Sequence, residues 1–153
     1  MMVSEFFNYA AVDAQPETAG RSTLESLSDE DWKQVLIFAA RRHYAAGAVI
    51  RQAMDAEAAL YIIVDGHVQI AAQDATPAVD RVLGPGELFG IDTFLAPGFT
   101  ATSATVLRPV EVLMMSSVMF DQLAAWQPGI ALRIMRLLAS SVALRLRKFE
   151  TTL

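Results

Sequence analysis

The sequence predicts a mainly β domain: a small barrel or sandwich of about eight short strands with helices on either side. Three observations predict it. Short apolar runs broken by glycine turns fill about 41–116, at the spacing of an all-β sandwich or barrel. Helical spacing precedes that region. It returns at Ser117 and runs on to about Lys148.

The elements follow in order. Residues 1–22 form a weakly patterned extension, with a loop around Pro16. Ser28 then offers a helix N-cap, and Asp29, Glu30 and Asp31 put acids in the first turn, where the helix dipole favours them. Ser28 and Asp31 have the spacing of a capping box. Trp32, Val35, Leu36 and Ala39 recur on one helical face, and Leu24 and Leu27 are expected to pack just ahead of it. The expected strands are 43–44, 48–51, 60–64, 67–71, 81–83, 87–89, 104–107 and 110–115. Asp65-Gly66 between two β-forming runs predicts a tight hairpin, whose turn positions need positive φ. Gly84-Pro85-Gly86 marks a corner. Met119, Phe120 and Leu123 predict a short helix ending near Trp126. Pro128 suits the first turn of a long one. Its apolar residues Ile130, Ile134, Leu137, Leu138, Val142 and Leu146, widened by Leu132, Met135 and Leu144, exceed one packing surface.

Composition removes several function classes. With 54% hydrophobic and 19% charged residues the chain has ample material for a core. No stretch approaches the ~20 apolar residues of a membrane span. There is no cysteine, which excludes disulfides, thiolate metal sites and cysteine nucleophiles. The first basic residue is Arg21, so no signal or presequence pattern opens the chain, and a cytoplasmic protein is expected. Net charge is −5, split between +4 over 127–150 and −9 elsewhere. An acidic body argues against nucleic acid as the main partner. His43 and His67 do not make the cluster a cupin-type metal site needs, so no metal is expected. No Gly-x-Ser-x-Gly elbow is present. Glu87 and Asp92 read as solvated loop acids rather than a catalytic pair. The expectation is therefore no enzyme and no catalytic residue.

The stretch from Gly84 to Arg108 is the informative one. Glu87–Phe89 should be a strand, Gly90 a point of close backbone approach and Ile91–Leu95 a helical turn. Free N–H groups at that turn, with Thr102, Ser103 and Thr105 nearby, have the makings of an anion cradle.

Leu60 to Val68, Gly84 to Gly90 and Ala104-Thr105-Val106 together resemble, in order and spacing, the cyclic nucleotide-binding domain of the catabolite activator protein and of protein kinase A regulatory subunits. The resemblance covers about 24–148. It implies a double-stranded β-helix, or jelly roll, over about 41–116 with C-terminal helices over about 117–148, the domain as a whole being 23–153. It also implies a phosphate-binding cassette that draws on Gly90, Ile91, Asp92, Thr102, Ser103, Ala104 and Thr105.

The cassette departs from that family's pattern of Phe-Gly-Glu followed by Arg-Ser/Ala-Ala, in which the Glu holds the ribose 2′-hydroxyl and the Arg neutralises the cyclic phosphate. Here Ile91 follows Phe89-Gly90. Asp92 stands one residue late, a shift of about 100° on a helix. Thr102, or Ala101 with a different gap placement, takes the place of the Arg, and no Lys or Arg lies between Arg81 and Arg108. Losing a buried charge partner costs roughly 3–5 kcal/mol, or two to three decades of affinity. Ile91, Phe94, Leu95 and Phe99 are expected to make the pocket apolar. The expected function is a non-catalytic regulatory or sensor domain with weak or lost cyclic AMP binding and no other cofactor, signalling through its C-terminal helices. A cation reaching in from Arg51, Arg81 or Arg108 would restore competent binding. A constitutive protein-interaction module with a sealed pocket is the rival reading. A homodimer is expected through Ile130, Ile134, Leu137 and Leu144, with a further protein partner unidentified. With the chain ending soon after Lys148, no DNA-binding module is expected.

Overall fold

The computed structural model describes residues 27–72 and 80–151. The extension 1–22 and Leu24 lie outside the described residues. Helix α1 (Asp29–Ile37) opens with the expected capping box: the Ser28 hydroxyl accepts from the Asp31 N–H, and the Asp31 carboxylate accepts from the Ser28 N–H. Two of its apolar residues, Trp32 and Val35, are buried.

Six strands follow among the described residues: β1 (Ala40–Tyr44), β2 (Val49–Arg51), β3 (Ala59–Ala72), β4 (Asp80–Leu83), β5 (Leu88–Phe89) and β6 (Thr102–Ser116). All pairings are antiparallel. The order is β1-β6-β3-β4, with β2 also on β6 and β5 also on β3. Helix α2 (Ile91–Leu95) stands between β5 and β6, and α3 (Ser117–Trp126) and α4 (Pro128–Thr151) close the chain. This is the antiparallel jelly roll with flanking helices that the sequence predicts.

The strand count differs for one physical reason. Leu60–Val64 and His67–Ala71 are a single strand, as are 104–107 and 110–115. Asp65-Gly66 is therefore no hairpin turn. It sits where the β3–β6 register slips, between Ile63 and Val68. Gly66 has φ +91°, and a Cβ there would stand 2.3 Å from the Pro109 carbonyl oxygen. The same left-handed glycine that a turn requires here lets two long strands bend past each other at a bulge.

The period-2 alternation of β3 and β6 fills two cores. Leu60, Ile62, Val64, Leu113 and Met115 face the helices, with Trp32, Ile91, Phe94, Phe120, Leu123 and the first half of α4. Tyr61, Ile63, Val68, Ile70, Ala104, Val106, Val112 and Met114 face the concave interior with Phe89. The Tyr61 and Phe89 rings stack there, 4.7 Å apart and parallel to within 2°.

Helix α4 carries two apolar stripes. Ile130, Ile134, Leu137 and Leu138 are buried against their own domain. Three of the four residues expected at a dimer seam, Ile130, Ile134 and Leu137, are thus committed to the core, and only Leu144 is exposed. The other stripe, Leu132, Met135, Ala139, Val142 and Leu146, is exposed and spaced 3, 4, 3, 4. From Val142 to Lys148 every residue is exposed. Among the described residues no helix is long and apolar enough to cross a membrane.

Candidate functional site

The glycine corner builds the site. Glu87 is buried and its carboxylate accepts from the Gly84 N–H, closing the Gly84–Gly86 turn. It is a structural brace rather than a solvated acid. Gly90 caps α2 at φ +83°, and a Cβ on it would meet the Ala59 carbonyl oxygen at 2.4 Å and the Arg51 Nη1 at 3.3 Å. Only glycine lets α2 start this close to β3.

Arg51 lies directly over that glycine. Its side chain is 3% exposed. One guanidinium nitrogen, Nη1, donates to Asp92 Oδ1 at 3.3 Å, and Nη2 donates to the Thr93 hydroxyl. Thr93 in turn donates to the Glu57 carbonyl oxygen at 2.9 Å. The other Asp92 oxygen accepts from Thr100 at 2.8 Å, and Thr100 lies 3.1 Å from the Thr102 hydroxyl. Backbone bonds from Met54 N–H to Thr100 O and from Thr100 N–H to Asp55 O tie the β2–β3 loop to the loop after α2. The result is one polar network spanning β2, α2 and the start of β6.

Partial burial alone would raise the Asp92 pKa. The Thr100 hydroxyl, the Thr93 N–H and Arg51 outweigh it and hold the carboxyl below its ordinary value. Burial, and then Glu57 and Tyr44, push the Tyr61 hydroxyl up to about 12, so it stays a neutral donor to Glu57.

The structure redistributes the expected site residues. Ile91 and Phe94 turn into the core between sheet and helices, where Phe94 meets Phe120 edge-on at 5.4 Å. Leu95 and Phe99 are exposed. Ile91 and Phe94 therefore do not line the concave side, contrary to that expectation. Asp92, one residue late by the family pattern, is the carboxylate that reaches Arg51, because Ile91 takes the inward-facing first position of α2. Thr102 joins the network. Ala104 is buried opposite Arg51 in the β2–β6 register, and strand alternation sets Ser103 and Thr105 on the other face of β6. Of the three candidate cations, Arg51 is in the site. Arg81 stands in the same cross-strand row, Arg51–Ala104–Ile70–Arg81. Arg108 pairs with His67 at the bulge, away from it.

Arg145 of α4 carries no sequence signal that points to the corner. The surrounding protein shields part of its exposed side chain, and that desolvation, then the Arg81 guanidinium, lowers its pKa, while Asp92 raises it.

A sheet of this topology with a glycine-capped turn between β5 and β6 defines a cyclic nucleotide-binding fold. The model of the cyclic nucleotide-binding domain family matches residues 41–125, and the chain belongs to that family. It is 32% identical over 99 residues to the CRP-like cAMP-activated global transcriptional regulator of Mycobacterium tuberculosis, covering 61% of this chain and 41% of that protein. It is 30% identical over 125 residues to the cyclic AMP receptor protein of Thermus thermophilus, covering 78% and 56%. The chain thus spans about half the length of the curated relatives it matches. Among solved structures, the Thermus thermophilus catabolite activator protein superposes with a TM-score of 0.73 at 28% identity, over 85% of this chain and 60% of that one.

Proposed function

We propose that the chain is a non-catalytic regulatory domain that reads a ligand on its concave face and reports it through α3 and α4, without the family's own cassette chemistry. One observation carries this reading. The cation and carboxylate at the corner are Arg51 and Asp92, already bonded to each other, while Ile91 and Thr102 fill the places of the ribose-holding Glu and the phosphate-holding Arg. A cyclic mononucleotide entering here has to share a guanidinium that the protein uses internally, so it binds weakly.

The route to the helices is physical. Helix α2 is pinned to α3 by Phe94 on Phe120, and α3 packs on α4 within the same core. A ligand shifts such an element only by contacting its two positions differently.

The same helix supports a homodimer. The exposed Leu132–Leu146 stripe has the seam spacing of a two-stranded coiled coil. Leu144, the one expected seam residue left exposed, lies beside it.

Calorimetric titration with cyclic AMP and cyclic GMP tests the reading. The expected dissociation constants lie at roughly 100 µM or weaker, two or more decades above a competent micromolar site. Micromolar binding of either nucleotide overturns it.

A further inference from the structure

We propose that the corner takes the uncharged part of a nucleotide, a ribonucleoside held through the hydroxyl donors of its sugar, in preference to its phosphorylated forms. The proposal rests on the preceding reading that this face is the ligand site. It is carried by the direction of the hydrogen bonds around Asp92.

Chemistry fixes those directions. An ionised carboxylate only accepts, so the Thr100 hydroxyl donates its one hydrogen to Asp92 Oδ2 at 2.8 Å. Thr100 then has no hydrogen left for Thr102, 3.1 Å away, and the Thr102 hydroxyl is the donor of that pair. The Thr102 N–H turns to the same Thr100 oxygen at 3.2 Å. On the other side Arg51 donates through Nη1 to Asp92 and through Nη2 to Thr93, and Thr93 gives its own hydrogen to the Glu57 carbonyl oxygen at 2.9 Å. Tyr61 gives its hydrogen to the Glu57 carboxylate at 3.3 Å.

Each of these hydroxyl hydrogens is spent inside the network. Oxygen lone pairs are what the network leaves open: the Asp92 carboxylate, 51% exposed, the exposed Glu57 carboxylate and the half-buried Thr102 oxygen. Arg51 keeps further N–H groups, and its Nε–H has no partner among the described residues, but with 3% of the side chain exposed it presents none of them at the surface. A phosphate offers acceptor oxygens and would meet this surface oxygen to oxygen. Sugar hydroxyls bring the donors it lacks. Thr102 makes the reversal plain, because it sets an oxygen where the family pattern sets the phosphate-holding Arg. A ribonucleoside has both its 2′ and 3′ hydroxyls free. In a 3′,5′-cyclic nucleotide the 3′ oxygen is esterified, so the ligand loses a donor as it gains the phosphate.

The chain should be titrated at pH 7 with adenosine, guanosine, their 2′-deoxy forms, their 5′-monophosphates and 3′,5′-cyclic monophosphates, and ribose. At least one ribonucleoside is expected to bind tenfold or more tighter than both of its phosphorylated forms. Its 2′-deoxy form and ribose alone are each expected to bind about tenfold weaker than it does. Thr102→Val keeps the shape of the side chain and removes the open oxygen, and should weaken nucleoside binding at least threefold with little change in melting temperature. Asp92→Asn replaces an acceptor by a donor and should weaken it about tenfold. Ribonucleosides no tighter than their phosphorylated forms, with the cyclic nucleotides weak, overturn this proposal and leave the preceding reading intact. Micromolar binding of a cyclic nucleotide overturns the preceding reading, and with no tighter nucleoside it overturns both. A 2′-deoxynucleoside or ribose as tight as the ribonucleoside, or unchanged affinity in Thr102→Val, also overturns this proposal.

Discussion

Arg51 and Asp92, 41 residues apart in sequence, meet at 3.3 Å across the entrance to α2, and their burial is unequal: 3% of the arginine side chain is exposed against 51% of the aspartate. That inequality predicts unequal mutants. Asp92→Ala strands a buried guanidinium and should destabilise by about 3 kcal/mol, near the low end for breaking a buried pair. Arg51→Met leaves only a carboxylate that water can reach and refills the volume with apolar atoms, so about 1 kcal/mol is expected. Urea unfolding of the two variants reads the order directly. A larger loss in Arg51→Met contradicts this account of the corner.

The acid limb of stability follows from the same carboxylate. Asp92 and Asp31 both have folded pKa values below their ordinary one, Asp31 because Ser28 and Arg133 outweigh its partial burial. A carboxyl depressed on folding contributes stability that is present above its unfolded pKa of about 3.9 and is lost as pH falls toward the folded value. Stability should therefore be flat above about pH 5 and decline below about pH 4. In Asp31→Asn the decline should be shallower. An unchanged acid slope, followed by thermal unfolding, would remove Asp31 from the set.

The glycines divide by what surrounds them. Gly66 and Gly90 combine positive φ with a Cβ position under 2.5 Å from backbone oxygen, whereas Gly47, at φ +87°, has nothing within 4 Å. Gly47→Ala should cost about 1–2 kcal/mol, the strain of a left-handed alanine alone. Gly66→Ala and Gly90→Ala must also move backbone and should cost more than about 4 kcal/mol, in the range reserved for severe backbone conflict. Equal melting temperatures for the three variants would refute the close approach.

The two stripes of α4 predict two kinds of defect. Leu137→Ala opens the core and should destabilise the monomer by about 2–5 kcal/mol. Met135→Glu with Val142→Glu touches only exposed positions, so the melting temperature of the isolated fold should hold while sedimentation shows dimer lost to monomer. A wild-type chain that sediments as a monomer at high concentration rules out the seam.

What was legible in the sequence was what local chemistry decides. The capping box at Ser28, Pro128 in the first turn of α4 and the 3.6-residue spacing of Trp32 and Val35 each act within a few residues, and each appears as expected. Asp65-Gly66 misled because a bulge and a tight turn ask the same thing of one glycine, and only the partner strand separates them. Ile130, Ile134 and Leu137 prove buried in their own domain because periodicity reveals two apolar faces on α4 without saying which one the sheet covers. Arg51 gave no local signal of its role: a lone arginine after Ala48, Val49 and Ile50 looks like a strand end, and its place opposite Ala104 is set by a pairing 53 positions away.

The interleaving of buried and exposed stripes on α4 has a last consequence. Leu138 is the final residue the body holds tightly, and Arg145 follows seven residues, nearly two full turns, later. Helical phase alone fixes the bearing of that arginine. One residue inserted between Leu138 and Val142 swings everything beyond it by about 100°, so the barrel would fold as before while Arg145 and the end of the exposed stripe pointed elsewhere. The length of this short stretch of helix, more than the identity of any side chain in it, sets the direction in which the end of α4 faces relative to the barrel.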